Sequence, residues 1–134
     1  MSELNLHREK TNLITPPQQP AVIGFTKEAY RAWRALHKNF PKTERFGIGQ
    51  NIEQTFLHIL EFTFTAAYLP PDQKIIMLGK IISRLDVLKF FIQIAWENKL
   101  IPEDKYIILS EQLHEIGRML GGWKKGLQSK TPAK

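Results

Sequence analysis

The sequence predicts an all-α fold, an up-down-up-down four-helix bundle, and three observations carry that prediction. Tyr106, Leu109, Leu113, Ile116, Leu120 and Trp123 recur at steps of three and four residues, an unbroken apolar seam on one helix. A helix of this length is marginal alone in water and needs partners. Three earlier stretches carry apolar faces of the same period, and short proline-bearing turns join them, which sets neighbouring helices antiparallel. No alternating strand pattern competes.

Residues 1–25 read as a flexible N-terminal arm. Its tract PPQQP, Pro16 to Pro20, removes backbone donors and blocks a helix. Thr26 then reads as an N-cap, opening a helix to about Asn39. Ala29, Tyr30, Trp33, Leu36 and Phe40 form its apolar face, and Lys27, Arg31, Arg34 and Lys38 line another side. Pro41 ends it.

Thr43 is expected to cap the second helix, from about Glu44 to Tyr68. Ile48, Ile52, Thr55, Ile59, Phe62 and Ala66 make one stripe, which Phe56, Leu60, Phe64 and Ala67 widen. A stripe this broad implies burial on two sides. Gly47 and Gly49, each costing about 1 kcal/mol against Ala in a helix, mark an irregular first turn or a close crossing.

After the turn Leu69–Asp72, Pro71 suits the first position of a third helix reaching Asn98. Ile75, Leu78, Ile82, Leu85, Leu88, Ile92, Ala95 and Trp96 line its core side. Phe90, Phe91 and Ile94 are surplus apolar surface. They either meet another subunit or cover the first helix within one monomer. Pro102 opens the fourth helix, with Glu103 and Asp104 where the helix dipole favours acids. It is expected to end near Lys125, with Gly121-Gly122 as a left-handed cap. The bundle domain is thus 26–125, and 126–134 is a basic disordered tail.

The chain has 134 residues, 43% of them hydrophobic, enough for one domain with a real core. The absence of cysteine excludes disulfides, thiolate zinc sites and cysteine nucleophiles, and fits a reducing compartment. The polar start MSELNLHREK is no secretory signal. No apolar run approaches the roughly 20 residues that cross a bilayer. A soluble cytoplasmic protein with no membrane partner is expected.

No catalytic site is expected. Glu111 and His114 match the Glu-x-x-His spacing of di-iron bundles, but such sites need a second motif and two more inward glutamates. His58 and Glu61 lack a third ligand. Gly47-Ile48-Gly49 lacks the strand and the lysine-hydroxyl ending of a phosphate loop. No nucleophile elbow occurs. No metal and no cofactor is expected.

What remains is charge. The formal net charge is +6 and the pI about 9.7. Lys27, Arg31, Arg34, Lys38, Lys42 and Arg45 face only Glu28 and Glu44 over the same stretch. Cations at helical spacing can track a phosphate backbone, releasing counterions, and arginines fork onto phosphate oxygens. Lys80 and Arg84 lie one turn apart, and Lys124 and Lys125 begin a basic end. These ten are the candidate nucleic-acid-binding residues. The competing reading is a solvated helix face.

Two segments carry a family resemblance, Asn39–Glu53 (NFPKTERFGIGQNIE) and Leu109–Trp123 (LSEQLHEIGRMLGGW). The second is the more specific, because a bundle seam does not itself need Gly117, Arg118 and Gly121-Gly122-Trp123. Together they resemble the accessory variability determinant family of diversity-generating retroelements, over about Val22 to Lys125. The resemblance implies a bundle assembled into a homopentameric barrel. It also implies a non-catalytic accessory protein that binds the element's reverse transcriptase and RNA or DNA during mutagenic retrohoming. The alternatives are a bundle of the 23S rRNA intervening-sequence type and a protein-only interaction module. Leu60–Ala67 (LEFTFTAA) stands where the former typically carries an Asn-Ile-Ala-Glu-Gly-like signature.

Overall fold

The structure, a computed structural model, describes residues 19–130. These form four long helices and one short one: α1 Ala21–His37, α2 Lys42–Arg45, α3 Ile48–Ala66, α4 Pro71–Glu97 and α5 Glu103–Lys130. No strand occurs among the described residues. The long helices pack in a closed ring in which α1 touches α3 and α5, and α4 touches the same two. Each long helix therefore lies beside its neighbour in sequence, the arrangement short turns impose. α1 and α4 occupy opposite corners.

The core runs along the bundle axis. Ala29 and Trp33 of α1 meet Ile52, Phe56 and Ile59 of α3, Leu78, Ile81, Leu85, Leu88 and Ile92 of α4, and Leu109, Leu113, Ile116 and Leu120 of α5. The seam that defines the last helix is thus its buried edge, flanked by half-buried Tyr106 and Trp123. Pro71 takes the first position of α4 and Pro70 its N-cap, where missing donors cost nothing.

Three boundaries differ from the sequence expectation. α1 starts at Ala21, five residues before Thr26, behind Pro20 in extended geometry. Thr26 is no cap. It is buried inside the helix, where its hydroxyl donates to the Val22 carbonyl at 2.7 Å. Burial of Val22 and Ile23 supplies the extra turn. The arm expected over 1–25 therefore loses its last five residues to α1, and residues 1–18 lie outside the described residues.

The second expected helix is broken. Pro41, not Thr43, caps the single turn α2, and Phe46-Gly47 separates it from α3, which Gly47 caps. Last, α5 continues past Gly121-Gly122 to Lys130, and no described glycine takes a positive φ. Leu127 packs on the core and extends the seam by one step of four. Burying such a side chain stabilises by about 1.5–3 kcal/mol, enough to offset a helical glycine at about 1 kcal/mol. Residues 126–130 are thus helix, and 131–134 lie outside the described residues.

The surplus apolar surface of α4 does not cover α1, which lies diagonally across the bundle. Phe90 is 56% and Ile76 64% exposed, with Val87 between them also exposed. Phe91 and Ile94 are half-buried, Phe91 against the core. α4 therefore has apolar residues on both its core side and its outer side.

α4 ends in a left-handed residue that is not glycine. Lys99 has φ 62°, the amide of Leu100 donates to the Ala95 carbonyl, and the Lys99 amide donates to that of Trp96, both at 2.9 Å. This is the Schellman geometry, in which glycine is the usual occupant. A Cβ in this conformation costs roughly 1–2 kcal/mol, more than glycine's extra chain entropy. Lys99→Gly is expected to raise stability by about 0.5–1 kcal/mol. An unchanged or lower urea midpoint would refute it.

Candidate nucleic-acid interface

A polar tie between α1 and α3 decides which way the cations of α1 point. Glu53 on α3 accepts a hydrogen bond from the Tyr30 hydroxyl and another, 3.0 Å long, from the indole N–H of Trp33. His37 Nδ1 stands 3.9 Å from the same carboxylate. Tyr30, Trp33 and His37 are spaced to share one side of α1, so all three turn to α3 together. Burial, then the hydrogen bond to Glu53, raises the Tyr30 phenol above its ordinary pKa. His37 stacks on Trp33 with ring centroids 4.8 Å apart, and Phe40 meets Trp33 edge-on at 5.3 Å.

With that side fixed, Lys27, Arg31, Arg34 and Lys38 all lie exposed. The break after α2 then matters. A continuous second helix from Glu44 would carry Arg45 away from α1. Instead the elbow folds it back, and its guanidinium donates to the carbonyls of Lys38 and Phe40, each at 3.3 Å. Arg34, His37, Lys38 and Arg45 thereby line one open hollow of about 220 Å³. His37 Nε2 lies 3.3 Å from the Arg45 carbonyl, a second link across the elbow. Lys42 is exposed on α2. None of these six cations is ion-paired with a described acid, since the ion pairs among the described residues are His37–Glu53 and Arg118–Glu115.

The other four candidates lie elsewhere. Lys80 and Arg84 are exposed on α4, at the opposite corner from α1. Lys124 is half-buried and lies across α4, its ammonium 3.6 Å from where a Cβ on Gly79 would sit. Lys125 is exposed on α5. The structure thus gathers six of the ten residues along α1 and α2 and leaves the other four on α4 and α5.

Sequence reasoning missed His37 and Glu53, which hold the hollow together. The available signal was the spacing Trp33, His37, Phe40 on one helical side, with a glutamate inside the apolar stripe of the next helix.

The residues singled out on α5 have separate explanations. A Cβ at Gly117 would lie 3.2 Å from Leu85 Cδ2 and 3.4 Å from Lys89 Nζ, so glycine permits this close crossing of α4 and α5. Arg118 forks onto Glu115 at 2.6 and 2.9 Å, which holds that carboxyl below its ordinary pKa. Gly121 and Gly122 have open space around their Cα atoms and ordinary helical φ. Nothing among the described residues requires them.

Glu111, His114, His58 and Glu61 are exposed, and no group of three His, Asp or Glu among the described residues is placed to hold a metal ion. No helix of the described residues is long and apolar enough to cross a membrane.

A family model described as bAvd-like matches residues 26–127, more than half of the chain. No curated protein matches the sequence.

The elbow also depends on Gly49. A Cβ there would stand 2.5 Å from His37 Nε2 and 3.1 Å from the Glu44 carbonyl oxygen. The His37 ring is held by Trp33, Glu53 and Arg45, so it cannot yield freely. Gly49→Ala is expected to cost about 1–3 kcal/mol of stability. In a His37→Ala background most of that cost should vanish, measured as a coupling energy in a double-mutant cycle. Additive effects of the two substitutions would refute the clash.

Proposed function

Because the chain belongs to the bAvd-like family, we propose that it is a non-catalytic cytoplasmic accessory subunit of a diversity-generating retroelement. It binds the element's reverse transcriptase together with RNA or DNA and supports mutagenic copying. The observation that carries the nucleic-acid part is the run of six exposed cations along α1 and α2, unpaired with any described acid. The mechanism is electrostatic. Each phosphate contact releases condensed counterions, so binding is strong at low salt and largely independent of sequence.

Oligomerisation multiplies this field. The proposed assembly is a homopentameric barrel, in which one chain's α4 packs its outer side against a neighbour. An exposed strip of Ile76, Val87 and Phe90 is costly to leave in water, and a contact between copies removes it. Repeated basic faces on one rigid body raise the effective concentration of phosphate-binding sites around a bound strand.

Two measurements test the proposal. RNA binding across a salt series should show a steep fall in affinity. Replacing Arg31 and Arg34 with Ala should weaken it about tenfold at low salt and flatten the log–log slope by about 1.5. Wild-type affinity and slope in that variant would dismiss the α1 face, and no retention of RNA or DNA at low salt would favour a protein-only module.

Light scattering should give a particle of five times the 15.6 kDa chain mass. Val87→Glu with Phe90→Glu should reduce it to the monomer without loss of helix. A wild-type monomer at micromolar concentration would exclude the pentamer.

A further inference from the structure

The elbow between α1 and α3 carries one feature that electrostatics leaves unused. Phe46, the residue that ends α2, is 69% exposed, the most exposed of the large apolar side chains among the described residues. It belongs to no core cluster and has no aromatic neighbour within the described stacking pairs. Several other exposed apolar groups lie together: Ile76, Val87 and Phe90 share the outer side of α4, Ile107 and Ile108 are adjacent on α5, and Phe64 leans on Tyr68 with centroids 5.2 Å apart. Among the described residues Phe46 is outside the core cluster and directly follows Arg45 in the chain.

Its position is nevertheless fixed. The backbone before it is pinned where the Arg45 side chain donates to the Lys38 and Phe40 carbonyls. The backbone after it is pinned where the Gly47 amide donates to the Glu44 carbonyl at 3.3 Å. Arg45 and Phe46 are consecutive, so their Cα atoms lie about 3.8 Å apart, within the span of one nucleotide.

A held guanidinium with donors to spare, beside Arg34 and Lys38, suits a phosphate. A bare aromatic ring next to it suits the face of a base, and the two together are the pairing that single-strand binders use. In a duplex the bases are stacked on one another and offer no free face to a side chain.

We infer that Phe46 is a stacking platform for the base of an unpaired nucleotide whose phosphate seats in the hollow of Arg34, His37, Lys38 and Arg45. The inference rests on the nucleic-acid reading of the α1 face and narrows it to single strands, RNA or DNA.

The test uses the full chain with labelled oligo(U), oligo(dT) and a duplex of equal length, each across a salt series. Phe46→Ala should lose about tenfold in affinity for both single strands, with the salt slope unchanged and duplex binding untouched. Phe46→Trp should retain affinity, and its indole fluorescence should be quenched on saturation. Circular dichroism and light scattering of both variants should match the wild type, as expected for an exposed position.

Single-strand affinity of Phe46→Ala equal to wild type, with the Arg31/Arg34 variant still impaired, overturns the stacking site and leaves the electrostatic face standing. Equal losses on duplex and single strand overturn it as well. A change of particle mass in Phe46→Ala overturns it in favour of a subunit contact. Failure of the wild-type chain to bind any of the three probes at low salt removes the nucleic-acid reading itself.

Discussion

The basic face depends on one carboxylate. Glu53 draws Tyr30 and Trp33 to α3 and stands beside His37, and the cations between them in sequence are left on the outside. An apolar seam alone would hold α1 against the core, but it would fix the helix rotation only loosely. Two hydrogen bonds to one carboxylate are directional, and each contributes on the order of 1 kcal/mol or more. Removing the acceptor would leave a buried indole N–H and a phenol unsatisfied, so the tie is costly to lose as well as specific. The same cluster lies against the elbow, since His37 also reaches the Arg45 carbonyl. Helix rotation and elbow shape are therefore coupled through one side chain.

How much of this was legible in the sequence depends on the range of the interaction concerned. The seam from Tyr106 to Trp123 is visible because the helix period and burial agree residue by residue, and Pro71 is legible because a proline tolerates only a few helix positions. Thr26 misleads because a threonine hydroxyl serves equally as an N-cap or as a donor to the carbonyl four residues back. Burial of Val22 and Ile23 chooses between them, and that is tertiary information. Gly121-Gly122 misleads for the same reason. Local propensity favours ending a helix there, and Leu127 on the core overrides it.

The candidate site divides along the same line. The cations of α1 follow from spacing alone, and their exposure follows from the apolar face opposite. Their union with Arg45 does not. It required the chain to break at Phe46-Gly47 and fold Arg45 back onto two carbonyls, a non-local consequence of Gly49 admitting the His37 ring. Lys124 shows the converse. It reads as part of a basic end, yet it is half-buried and its ammonium rests 3.6 Å from where a Cβ on Gly79 of α4 would sit. Charge counted along a sequence overstates a patch when some of its lysines serve packing.

The glycines separate what the monomer explains from what it does not. Gly49 and Gly117 each answer to an identifiable neighbour, the His37 ring and Leu85. Gly121 and Gly122 answer to none among the described residues, although each lowers helix stability by about 1 kcal/mol relative to Ala. α4 poses the same problem in apolar form, with Ile76, Val87 and Phe90 spread along its outer side. Both are costs when the chain is alone in water. Both become assets where another molecule lies against them, the glycines by admitting a close backbone and the apolar strip by losing its water. Among the described residues two surfaces besides the basic face thus have no partner, and the bundle core requires neither.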